Sequence, residues 1–373
     1  MSSDVAACGY FCVIGCHERL FRRRTDLPSV PSMTQNDWTY ARAGVDIEQK
    51  SRSITSLVNK LTYRRTGKGR VIDIKGQFTS LIDFDGTILT LCTDGVGTKL
   101  LIAEALDKWD TVGIDCMAMN VNDTICVGAE PFAFVDYIAI DKPDERITEQ
   151  IGIGLEKAAE ECNVDIVGGE IAVLPEIVRG VDLSGTALGW LEKEKIIDGS
   201  KVQIGDAIIG LRSSGIHSNG MTLARKVLES AEVKLDQKFD RLGKTIGQEL
   251  LTPTELYVKK VVELVDKVRI HGMVDVTGGG LKNFVRLKKN VLFDISDPIK
   301  PQPVFEMISE LGNVSAMEMY KTFNMGMGYG IVLPQENVKK ALQILGEGAK
   351  VVGQVSAGNG VGISSLDVHY ENY

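Results

Sequence analysis

The chain has 373 residues, 44% hydrophobic and 25% charged, a globular composition with enough length for two cores of ordinary size. Its 42 Lys and Arg against 50 Asp and Glu leave a net charge of -8, which argues against general nucleic-acid binding because that needs a basic footprint. No stretch approaches about 18 uninterrupted apolar residues, so no membrane-spanning helix is expected.

Residues 1–32 are of mixed composition, with Arg22-Arg23-Arg24 followed by a Pro/Ser passage, and are expected to be a disordered extension; Met33 is a candidate start. Cys8, Cys12 and Cys16 recur at every fourth residue but fit no zinc or cluster spacing. The remaining four of the seven cysteines lie in apolar patterns, which suggests reduced thiols and a cytoplasmic setting. A helix is expected over about 46–61. Strands at 78–84 and 88–92 flank Asp85-Gly86, a two-residue hairpin signal. Helices follow at 100–107, 111–127 and 145–162, with strands at 132–140, 165–168 and 184–191. The polar, glycine-containing passage 198–205 reads as a boundary. Beyond it come a strand at 207–211, helices at 221–230 and 253–268, and strands at 273–276 and 291–295. A helix at 304–311, a strand at 328–333, a helix at 336–345 and a strand at 350–355 complete the pattern. This mixed order predicts an α+β fold with units at 33–197 and 198–358, and a tail at 359–373.

Thr93-Asp94-Gly95-Val96-Gly97-Thr98-Lys99 lies between a strand and a helix, where backbone N–H groups can cradle phosphate. Glycine permits close approach, Asp94 suits a cation, and Lys99 supplies charge for phosphate oxygens; a plain structural turn is the alternative. The Gly243-Lys244-Thr245 run lacks the first glycine of a Walker loop, having Lys238 there, and reads as an ordinary loop. Asp123 sits on a helix amid Met117, Met119, Ile125 and Val127, as a Mg²⁺ ligand beside Asp94 or on a solvated face. Glu170 ends the Gly168-Gly169 strand, where an acid needs a cation or a substrate donor. The run 213–220, S-S-G-I-H-S-N-G, is a second anion-binding candidate, in which His217 serves as acid, base or charge stabiliser, or merely as a cap or core histidine. Thr277-Gly278-Gly279-Gly280 adds a third loop suited to close approach.

Taken in order, these runs resemble a known family. D-G-V-G-T-K, V-N-D-x4-G-A-E-P at 121–131, G-G-E at 168–170, I-I-D-G-S-K-V at 196–202, S-S-G-x-H-S-N-G, L-x-P-T-x-x-Y-V-K at 251–259, T-G-G-G and E-M-Y-x-T-F-N-x-G-x-G at 318–328 are similar to the phosphoribosylformylglycinamidine cyclo-ligases, also called aminoimidazole ribonucleotide synthetases. The resemblance covers about 43–355. Two departures stand out: Gly67-Lys68-Gly69 and Gly76-Gln77-Phe78 replace a glycine-richer loop, and Ile171-Ala172-Val173-Leu174 follows Glu170 in place of the family's usual continuation.

The resemblance implies a two-domain ATP-binding fold, a homodimer formed through the sheet of the first domain, and ATP and Mg²⁺ as cofactors. It implies closure of formylglycinamidine ribonucleotide to 5-aminoimidazole ribonucleotide through an iminophosphate, with ADP and phosphate released in purine biosynthesis. Residue by residue it implies Asp94 and Asp123 on Mg²⁺, and Lys99 with the backbone of Gly95, Val96, Gly97 and Thr98 on ATP. Glu170 joins the nucleotide site, and His217, Lys99 and Asp94 take the catalytic roles. Selenophosphate synthetase, thiamine-phosphate kinase, the hydrogenase-maturation dehydratase and the preceding purine-pathway amidotransferase are competing relatives. Each expects a reactive cysteine, a C-terminal cysteine or a second module that this sequence does not show. A nucleotide-binding regulatory protein without turnover is the competing class, and it would be favoured by loss of the acids or of Lys99.

Overall fold

A computed structural model describes residues 37–74 and 76–373. The 1–32 extension, its three cysteines and Met33 lie outside the described residues. The first unit contains α1 (Ile47–Val58), β1 (Arg70–Ile72), β2 (Ser80–Phe84), β3 (Thr87–Gly95), α2 (Leu100–Leu106), α3 (Val112–Ile125), β4 (Glu130–Ile140), α4 (Glu145–Cys162), β5 (Asp165–Val173) and β6 (Val181–Glu192). The second contains β7 (Ala207–Arg212), α5 (Met221–Ser230), β8 (Lys238–Phe239), β9 (Lys244–Thr245), α6 (Ile246–Leu250), α7 (Val258–Lys267), β10 (Gly272–Asp275), β11 (Leu292–Asp294), α8 (Pro303–Gly312), α9 (Ala316–Thr322), β12 (Met327–Leu333), α10 (Val338–Leu345), β13 (Ala349–Ser356), β14 (Gly360–Ile363) and β15 (Val368–Tyr370).

In the first unit six strands run in the order β1-β2-β3-β6-β4-β5. Only β4 and β5 are parallel, and α4 provides the crossover that a parallel pair requires. The β2–β3 hairpin closes on Asp85 and Gly86, both at positive φ, as a two-residue turn of this hand demands. One face of the sheet carries α3, which also packs on α4. The other leaves Leu91, Phe132, Val135, Tyr137 and Trp190 exposed, and the edge strand β5 adds Val167, 65% exposed, and Ile171.

The second sheet runs β10-β12-β7-β13-β11-β14-β15, antiparallel except for β11 with β14. Residues 359–373, expected to be a tail, therefore supply two sheet strands: Val361 pairs with Phe293 and Tyr370 with Val361. The runs G-V-G-I and V-H-Y are too short to announce themselves by alternation, and their place follows from the neighbouring edge. Helix α7 begins at Val258 and not at 253, because Thr254 and the Tyr257 N–H are tied to Asp115 and Asn122 of α3, which holds 252–257 as an irregular connection.

Every residue of α3 is buried, and the helix touches β3, β4 and β6 on one side and α7 and β10 on the other. One continuous hydrophobic core thus runs from Phe134 and Ile138 in the first unit through Val121 and Ile125 to Ile209, Val274 and Ile331 in the second.

Candidate functional site

Strand β3 continues through Thr93, Asp94 and Gly95, pairing Asp94 with Gly185 and Gly95 with Ser184. The expected phosphate loop is thus shorter than the motif: its Gly95 N–H goes to Asp94 Oδ1 at 2.7 Å and its Val96 N–H to the Leu183 carbonyl at 2.9 Å. The turn Gly97–Lys99 keeps the N–H groups of Gly97 and Thr98 as first-turn donors. Asn120 on α3 fixes the strand end, accepting from the Asp94 N–H at 2.8 Å and donating to its carbonyl at 3.2 Å.

Lys99 does not reach outward to phosphate oxygens. Its side chain is 0% exposed, and Nζ donates to Asp115 Oδ1 at 2.9 Å and to the Thr252 carbonyl at 2.6 Å. Asp115 Oδ1 also accepts from Thr254 N–H at 2.8 Å and Thr254 Oγ1 at 2.6 Å. Burial pulls the Lys99 pKa down and the Asp115 charge opposes that pull. The phosphate and catalytic roles expected of Lys99 are corrected here: it latches the turn to α3 and to the second unit.

Three acids stand apart from that latch. Asp123 on α3 is buried with Oδ1 unpartnered, and Asp275 at the end of β10 is 2% exposed with Oδ2 unpartnered. Burial drives both pKa values well up. The charges of Asp275 and Asp94 add to this at Asp123, Asp94 adds to it at Asp275, and Arg286 opposes it at both. Asp94, whose carboxyl reaches solvent, is raised by the crowding of protein around it. No group of three or more His, Cys, Asp or Glu among the described residues is already arranged to hold a metal ion. An ion here needs further oxygens from outside the chain.

His217 is corrected too. At φ 64 and 4% exposure its Nε2 accepts from the Ser214 N–H at 3.3 Å and the Glu255 N–H at 3.4 Å. Burial, reinforced by the Lys99 charge, lowers its pKa to about 3. With Nε2 accepting from two backbone segments the neutral ring is the Nδ1–H tautomer, which fits the core reading and leaves no free ring lone pair for a general base. Gly328 explains part of the packing: a Cβ there would stand 2.7 Å from His217 Cε1 and 2.1 Å from the Tyr257 hydroxyl. Asn324 then braces the loop, donating to the carbonyls of Gly215 and Ile216.

Glu170 lies on the exposed edge strand, in one cross-strand row with Tyr137, Ser184 and Gly95. With β6 and β4 intervening, it stands about 14 Å from Gly95 at ~4.8 Å per strand. It cannot share an ion with Asp94 within one chain.

Family models described as AIR synthase related protein match residues 77–191, the N-terminal domain, and 203–365, the C-terminal domain. A phosphoribosylformylglycinamidine cyclo-ligase from Methanosarcina mazei is 46% identical over 87% of this chain and 96% of its own. One from Methanococcoides burtonii is 44% identical over 90% of this chain and all of its own. The chain belongs to the phosphoribosylformylglycinamidine cyclo-ligase family. A solved structure described as AaThiL complexed with AMPPCP and TMP, 18% identical, shares the fold with a TM-score of 0.57 over 81% of this chain and 93% of its own.

Within this cyclo-ligase chain, sequence reasoning passes over Asp275, Asp115, Asn120 and Arg286. Asp275 carries a signal of its own, an acid closing an apolar strand just before a glycine turn. Asp115 stays hidden because its partner Lys99, in sequence, reads as a phosphate ligand.

Proposed function

We propose that the protein closes the imidazole ring of formylglycinamidine ribonucleotide, using ATP and giving 5-aminoimidazole ribonucleotide, ADP and phosphate in purine biosynthesis. The observation that carries this reading is the 46% identity, over 87% of the chain, to a relative of that name. ATP use is further supported by the AaThiL structure, a complex with AMPPCP on the same fold.

The residues fit a Mg²⁺ ion: Asp123 Oδ1 and Asp275 Oδ2 are buried oxygens without partners, and Asp94 faces both electrostatically. Asp94 and Asp123 would hold it, with phosphate oxygens and water as its remaining ligands and the nearby charge of Asp275 in support. When bound, it supplies charge neutralisation on the phosphate chain. The rest is positioning. The first-turn N–H groups of Gly97 and Thr98 would donate to the nucleotide's phosphates, while Thr98 Oγ1, 2.8 Å from Thr222 Oγ1, spans to α5 of the second unit. Phosphorylation of the formamide oxygen turns a poor leaving group into a good one, and the amidine nitrogen attacks within the same molecule. The protein's share is to hold those atoms in line.

The exposed apolar face of β3, β4 and β6 and the edge of β5 support a homodimer through the first sheet, with Glu170 at its seam. Tyr137→Asp is expected to convert a dimer to a monomer, read by light scattering; a monomeric wild type overturns that arrangement. No described helix is long and apolar enough to cross a membrane, and Cys92, Cys116, Cys126 and Cys162 are free, as suits a cytoplasmic enzyme. Incubating the protein with formylglycinamidine ribonucleotide, ATP and Mg²⁺ is expected to yield 5-aminoimidazole ribonucleotide and ADP in equal amounts. Absence of both products overturns the reading.

A further inference from the structure

Arg286 follows the T-G-G-G turn and reaches back to the first unit. Its Nε donates to the Gly76 carbonyl at 3.0 Å and its Nη2 to the Gln77 carbonyl at 2.7 Å. The guanidinium carbon lies 3.8 Å from the centre of the Phe78 ring and 5.1 Å from that of Tyr373. Contact runs both ways, because a Cβ on Gly76 would fall 2.8 Å from the Arg286 carbonyl oxygen. Tyr373 touches the turn as well: a Cβ on Gly279 would be 3.2 Å from its hydroxyl, and Lys282 Nζ lies 5.8 Å from its ring centre. Nearby, Gln77 Nε2 donates to the Asp198 carbonyl at 3.2 Å, so the same loop is also tied to the passage between the units.

We propose that Arg286, stacked between Phe78 and Tyr373, is a positioning residue that fixes the 76–78 turn of the first unit against the T-G-G-G turn of the second, and that Tyr373 is the outer jaw of this clamp. The clamp stands on the turn that follows Asp275, whose carbonyl accepts from Asn283 Nδ2 at 3.0 Å, three residues before Arg286. Among the described residues no strand pairing connects the two turns, and the guanidinium supplies two of the hydrogen bonds that tie them. Only a guanidinium offers two divergent N–H donors and two faces for aromatic rings at once. The ligand whose binding it would tune is the ribonucleotide of the cyclo-ligase reading, on which this part of the proposal rests.

The test compares Tyr373→Ala, Phe78→Leu and Arg286→Lys with the parent chain in steady-state kinetics, melting curves and amide hydrogen exchange. Tyr373→Ala and Phe78→Leu are expected to raise KM for the ribonucleotide about fivefold or more with kcat within about twofold. The melting temperature should hold while exchange at 76–79 quickens. Arg286→Lys keeps the charge but not the stack, and is expected to fail to restore tight binding. Unchanged KM and unchanged exchange in Tyr373→Ala overturn the clamp, as does a fall in kcat that merely follows the melting temperature. If the parent chain itself shows no turnover, the cyclo-ligase reading fails, and the exchange measurement still decides the clamp by itself.

Discussion

Helix α3 carries two buried aspartates eight residues apart that live in opposite circumstances. Asp115 shares one oxygen with an ammonium, a backbone N–H and a hydroxyl. Asp123 keeps an oxygen without a partner and faces two further acids. Burial is the same, and each keeps one oxygen without a partner, Oδ2 of Asp115 and Oδ1 of Asp123; the charge beside them is not, a cation at the first and further acids at the second. A carboxylate whose donors come from its own protein is architecture, whereas one surrounded by like charge is stable only with a cation or a proton brought from outside. The comparison also separates Lys99 from Asp94, although both belong to one glycine-rich motif.

Breaking the ion-paired acid should have the larger effect on stability. Lys99→Met leaves Asp115 charged and buried, and is expected to cost about 3–5 kcal/mol, read by denaturant unfolding. A loss below about 1 kcal/mol would mean that the latch is not formed. Asp123→Asn removes a charge that the fold does not compensate, so stability should stay level or rise while turnover drops by about a hundredfold or more, on the order of 2.7 kcal/mol. Near-normal kcat/KM in that variant would return Asp123 to the structural class. Asp275→Asn should behave like Asp123→Asn if the two acids act together, and like a silent change if they do not.

His217 sharpens the same contrast through pH. Its folded pKa of about 3 lies below the ordinary imidazole value of ~6.5, so the unfolded chain binds the extra proton first. Its contribution is complete above about pH 6.5 and is lost as pH falls toward 3, with a limiting slope of about 1.4 kcal/mol per pH unit. His217→Gln should flatten that limb of the stability–pH curve. His217→Leu should also lower stability at neutral pH by about 1–3 kcal/mol, since the Ser214 and Glu255 N–H groups then lose their acceptor. A rate defect of a hundredfold with an unaltered melting temperature would restore the proton-transfer role that the buried ring argues against.

The ends of α4 and α5 are legible in the sequence because local chemistry sets them. Asp144 caps α4 through the N–H groups of Arg146 and Ile147, and Gly220 at positive φ opens α5. The reach of β3 is not, since Thr93-Asp94-Gly95 has the composition of a loop and becomes strand only because β6 pairs with it. Site residues divide the same way. Asp94 draws attention by its glycine-rich loop and Asp123 as an acid in apolar surroundings, but the fate of Lys99 depends on Asp115 and Thr252, the latter 153 residues away in the chain. His217 misleads for a related reason: a histidine in a donor-rich loop reads as a reagent until the backbone groups that occupy its ring nitrogen are known.

The wholly buried α3 has a consequence for how the chain comes apart. Because its apolar residues complete the core of both units, neither sheet can keep its interior when the other melts, and unfolding should proceed as one cooperative transition despite the chain's length. A protease nick within 198–205 would then leave two fragments that stay associated and melt together, and neither would refold by itself.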